Sequence, residues 1–96
     1  MAAQSPMLQV KCERSGGGWL CRVTVGDDAA ATTHEVVVMD EDLSRLAPDA
    51  NVQALVEASF GFLLEREPRD AILRSFALPV IGRYFPEYEA EIGRRL

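Results

Sequence analysis

From Met7 to Val25 the chain alternates apolar and polar positions with a period of two. Leu8, Val10 and Cys12 interleave with Gln9, Lys11 and Glu13; after "SGGG", Trp19, Cys21, Val23 and Val25 interleave with Leu20, Arg22 and Thr24. That period predicts two half-buried strands joined by a glycine-rich connection. A four-residue loop at 15–18 pairs Arg14 with Trp19, Cys12 with Cys21, Val10 with Val23 and Leu8 with Val25. This register puts every apolar member on one face. "THEVVVM" reads as a third strand, reached through a polar connector over 26–33. Pairing Val25 with His34 sets Val36 opposite Val23 and Val38 opposite Cys21. Three β-branched residues in succession suit a strand covered at least partly on both faces.

Beyond Met39 the period changes to that of helices. Acids at 40–42 ahead of Leu43 and Leu46 predict a short helix over 40–46. Asn51 is a good N-cap. After it Val52, Leu55, Val56, Ser59, Phe60, Leu63 and Leu64 form one apolar stripe over 52–66, with Phe62 on its flank and Gly61 off it. Pro68, Pro79 and Pro86 each stand where a helix can begin, giving three further short helices. Such helices depend on packing, which assigns Phe76, Val80, Ile81, Phe85 and Ile92 to holding them down. The fold class expected is α+β: a three-stranded antiparallel meander over 7–39, then four to five helices over 40–95 packed on one face. Residues 1–6 are expected to form a flexible N-terminus of this single domain.

Composition narrows the functional classes. Ninety-six residues with 26% charged side chains make one globular domain. No apolar run approaches the roughly 18 residues of a membrane span. The opening "MAAQSPMLQV" lacks a basic and apolar leader, so the cytoplasm is the expected location. The net charge of −5 is spread as −4 over residues 1–50, −2 over 51–65 and +1 over 66–96. No strongly basic segment results, which lowers nucleic-acid binding.

Candidate chemistry is sparse. Cys12 and Cys21, placed opposite one another, are close enough for a disulfide. A cytosolic location favours two reduced thiols filling space under the sheet, ahead of redox sensing or metal binding. His34 is the sole histidine. In this register it lies about 13 Å along the sheet from Cys21, too far to share an ion, and it is expected to be a rim residue. No catalytic, cofactor or metal site is predicted. Tyr84 and Tyr88 suit either a core edge or an interface.

The stretch "SFGFLLEREPRDAILRSFALPVIGRYFPEYE", residues 59–89, resembles a group of small bacterial proteins of unknown function with a similar SF-x-FLLEREP … YFPEYE pattern. The resemblance covers about a third of the chain and implies no activity. It takes in Glu65, Arg66, Glu67, Pro68, Tyr84, Pro86 and Tyr88.

The function expected is a non-enzymatic module that binds another protein, or itself, through its helical C-terminal part. Phe62, Arg66, Arg69, Arg74, Arg83, Tyr84 and Tyr88 are the expected surface, being of types enriched at interfaces. The alternative is nucleic-acid binding through a helix-turn-helix-like segment at 68–85, with Arg66, Arg69, Arg74 and Arg83 as its basic stripe. An enzyme or small-ligand domain would require a pocket that brings Glu65 or Glu67 beside Tyr84.

Overall fold

The computed structural model describes residues 7–96; the expectation of a loose segment at 1–6 lies outside them. Strands β1 (Leu8–Ser15), β2 (Gly18–Val25) and β3 (Thr32–Met39) are followed by helices α1 (Asp40–Leu46) and α2 (Val52–Leu64). A 3-10 turn at Arg69–Ala71, a short strand β4 (Ser75–Ala77), and helices α3 (Val80–Tyr84) and α4 (Tyr88–Arg95) complete the chain.

The first hairpin has the expected register, with Cys12 opposite Cys21 and Val10 opposite Val23. Its strands run to Ser15 and Gly18, so the connection is a two-residue turn instead of a four-residue loop. Of the two turn residues only Gly16 takes a positive φ, 58°, at the lead position that glycine favours in hairpin turns of type II′. Gly18 is required for a different reason. A Cβ there would lie 2.4 Å from the Val38 carbonyl oxygen on the neighbouring strand.

The second pairing departs from expectation by two residues. Val23 lies opposite His34, Cys21 opposite Val36, and Val25 opposite Thr32. The cause is in the connector: Asp28 Oδ1 accepts from the Ala30 N–H at 3.0 Å and the Asp28 carbonyl from the Ala31 N–H at 3.0 Å. That turn brings β3 in at Thr32. A slip of two preserves the face of every side chain, so Val36 and Val38 remain fully buried. Val37, by contrast, is 40% exposed, so β3 is covered on one face only.

The segment after Pro68 departs further. Instead of a helix over 68–75 it makes a single 3-10 turn and then pairs, parallel, with β3: Glu35 with Ser75, Val36 with Phe76, Val37 with Ala77. The Glu35 N–H donates to the Arg74 carbonyl at 2.8 Å and the Leu78 N–H to the Val37 carbonyl at 2.9 Å. A free β3 edge offers these bonds, and they outweigh the weak preference of a two-turn helix. The sheet is therefore four-stranded and mixed, in the order β1-β2-β3-β4, and the first helix of the expected helix-turn-helix is not formed.

α2 closes the core. The Asn51 side chain caps it by accepting from the Ala54 N–H at 2.8 Å. Its stripe buries Val52, Leu55, Val56, Ser59, Phe60 and Leu63 among Val10, Val23, Val36 and Val38 of the sheet. Phe60 meets His34 and Phe76, with ring centroids 5.4 and 6.2 Å away. No helix of the described residues is long and apolar enough to cross a membrane.

Gly61 sits mid-helix, and a Cβ there would meet only Arg95 Nη1 at an ordinary 3.7 Å. Gly61→Ala should therefore raise the unfolding free energy by about 0.5–1 kcal/mol, the helix-propensity difference, read as a higher urea midpoint.

Candidate functional site

The expected surface residues separate into three groups. Phe62 and Tyr88 are fully buried, which corrects the placing of Phe62 on a flank and of both in a docking surface. Their rings meet edge to face at 5.3 Å, and Phe85 meets Phe62 at 5.8 Å. The Tyr88 hydroxyl is 2.7 Å from Ser59 Oγ, which itself donates to the Leu55 carbonyl. Burial pushes the Tyr88 phenol up to about 12, against the smaller opposing effect of that hydrogen bond.

Arg66 and Arg69 are tied down. The Arg66 guanidinium lies 3.6 Å from the centroid of Phe62 and bonds Glu87 at 3.1 Å and Glu91 at 3.2 Å. Arg95 joins the same group through Glu65 and Glu91. Arg69 reaches Asp28 at 3.2 Å. The two halves of the LLEREP and YFPEYE pattern thus meet in space, through Arg66 with Glu87 and Ser59 with Tyr88, and they staple α2 to α4. The expected basic stripe does not form as a free patch.

Arg74, Arg83 and Tyr84 are exposed. Of the three, Tyr84 lines the feature that periodicity did not reveal, a cleft of about 320 Å³ between the end of α2, the return to β4, and α3. Leu63, Ile72, Phe76, Ile81 and Phe85 provide its apolar lining, and Leu73 and Tyr84, 47% and 67% exposed, stand at its mouth. Glu67 and Tyr84 both line it and are its only ionisable side chains among the described residues. Among the described residues no serine, cysteine, lysine or histidine lines it. Neither Arg74 nor Arg83 has an ion-pair partner among the described residues.

Local sequence explains the cleft. Pro68 and Ile72 are extended, with ψ of 156° and 134°, so the chain leaves α2 without starting a helix. Pro79 then opens α3 directly after β4. Between them Leu73 is held by His34, which is fully buried and not at the rim as expected. Its Nδ1 is 2.7 Å from the Leu73 carbonyl oxygen and its Nε2 2.8 Å from Thr32 Oγ1. A carbonyl only accepts, so Nδ1 carries the hydrogen, and in the neutral ring the Thr32 hydroxyl then donates to Nε2. The Nδ1 bond ties Leu73, at the cleft's mouth, to β3.

Burial holds the His34 pKa below its ordinary value; nearby Arg74 adds to this, and the Leu73 bond opposes it. With the folded value depressed, the unfolded chain takes up the proton first. Stability is complete above about pH 6.5 and falls as pH is lowered through that value. Asp40 beside Arg14 and Glu91 beside Arg95 are held below their usual range, as is Glu87 by its own backbone N–H and then by Arg66, so all three are still ionised there. Denaturant midpoints at pH 7 and pH 5 should show the loss, and His34→Gln should flatten it.

Cys12 and Cys21 are joined by a disulfide, with α-carbons 4.0 Å apart. The expectation of two reduced thiols is thereby overturned. The pair occupies a non-hydrogen-bonded site of the hairpin, where opposed residues come closest.

No protein-family model, curated protein or solved structure matches the chain.

Proposed function

We propose that the protein is a non-enzymatic binding module whose cleft between α2, β4 and α3 takes apolar side chains of a partner protein. The observation that carries this reading is the pairing of an apolar cavity with exposed Leu73 and Tyr84 at its mouth. Folded monomers seldom leave such side chains beside an open cavity without use. Arg74 and Arg83 are exposed and adjoin Leu73 and Tyr84 in the chain, so a partner with acidic residues suits this reading.

A benzophenone side chain placed at position 84 tests this. Irradiated in cells that express the chain, it should give a discrete adduct of higher mass, and the same group at exposed Glu57 should give none. An adduct of two copies would assign self-association to this cleft. Uncrosslinked chain alone from both positions would remove the reading.

A second reading is favoured by Glu67 and Tyr84 lining one cavity. A small apolar ligand with one hydrogen-bonding group would fit a volume at the low end of ligand sites. Native mass spectrometry of chain purified from cells would then show a bound small molecule, lost in Ile81→Trp.

A further inference from the structure

The sheet has two edges, and β1 is the long one: eight residues without proline, against three in β4. The Gly26 N–H donates to the Met7 carbonyl at 2.7 Å. With the alternation of an antiparallel ladder, Gln9, Lys11, Glu13 and Ser15 turn their backbone groups toward β2. Leu8, Val10, Cys12 and Arg14 turn theirs outward, where β1 has no strand neighbour among the described residues. Such an edge is a template for another strand.

The side chains on this edge specify which strand. Lys11 and Glu13 are exposed on the open face of the sheet, and neither makes an ion pair among the described residues. Lys11 is set opposite Arg22, a like charge across the strands, which is destabilising. Arg22 has its own partner in Glu35 at 3.3 Å. Lys11 is thus short of a carboxylate, and Glu13 of a cation.

We infer that β1 pairs antiparallel with β1 of a second copy, centred on Cys12. This register sets Lys11 opposite the partner copy's glutamate and Glu13 opposite its lysine, in non-hydrogen-bonded pairs where side chains are nearest. The outward groups of Val10, Cys12 and Arg14 then supply the ladder. Centring on Lys11 would oppose two lysines, centring on Glu13 two glutamates, and centring on Val10 would leave both charges without an opposite. The Cys12 sulfur at the axis is already bonded to Cys21. A two-fold through that point keeps both cores on the same side of an eight-stranded sheet. This interface is separate from the cleft and does not rest on the reading proposed for it.

Sedimentation velocity on the intact, oxidised chain tests the inference. Wild type should dimerise in the micromolar range. Lys11→Glu alone and Glu13→Lys alone, each leaving two repulsive pairs, should weaken the dimer about tenfold or more. The double exchange K11E/E13K should restore it, and mixing the two single variants should give a heterodimer. Amide exchange at Val10, Cys12 and Arg14 should slow as concentration rises. Both changes are at exposed positions, and unchanged thermal midpoints would show the fold intact. Wild type that stays monomeric at 100 µM overturns the inference. So does a dimer indifferent to both single variants, or one lost in Leu73→Asp while they leave it intact.

Discussion

Phe62→Ala should lower the unfolding free energy by about 3–5 kcal/mol, the range for deleting a fully buried phenylalanine ring. Phe62 has no exposed surface. It packs edge to face against Phe85 and Tyr88, and Arg66 and Arg95 approach its ring at 3.6 and 5.7 Å. Removing the ring leaves a void and takes the stacking surface from two guanidiniums. Against a total of about 5–15 kcal/mol for a domain, that is a large fraction. Guanidinium unfolding should show a much lower midpoint, with Phe62→Leu intermediate. Tyr84→Ala should change stability by no more than about 0.5 kcal/mol. Were Tyr84 the costly residue and Phe62 the cheap one, the division between core and surface drawn here would be reversed.

Reducing the Cys12–Cys21 disulfide should cost about 2–3 kcal/mol. The bond closes a loop of sequence separation 9, and the chain-entropy relation gives that magnitude for a loop of about ten residues. Urea midpoints with and without a phosphine reductant measure it, and Cys12→Ala with Cys21→Ala should reproduce the reduced value. A midpoint unmoved by reductant would mean that the thiols are not linked in the native protein. The disulfide also bears on location, because stable disulfides belong to oxidising compartments.

Features set by local periodicity were legible from sequence. The hairpin register, the Asn51 cap, the α2 stripe and the helix starts near Pro79 and Pro86 all appear as expected, because each is fixed by side-chain alternation, a cap or a fixed φ. The β2–β3 register was not legible. Shifting it by two keeps every face, so the choice fell to the Asp28 turn. β4 was hidden for a different reason: "SFA" has little strand character, and its conformation is imposed by the hydrogen bonds that β3 leaves open. The burial of His34 and the cleft both follow from β4, so neither could be read before it. Of the aromatic and arginine positions singled out at the carboxy end, sequence could not divide packing from surface. Phe62, Arg66 and Tyr88 join in one cluster only because α4 returns beside α2.

The β3–β4 ladder connects segments with α1, α2 and the 3-10 turn between them. Hairpin contacts close small loops, but this one pairs Glu35 with Ser75 across α1, α2 and the 3-10 turn before its first bond is repaid, and such closures are slow and entropically expensive. The cleft is thus put together by the least local contact in the sheet. A substitution anywhere along that return path can loosen its floor without altering a residue that lines it.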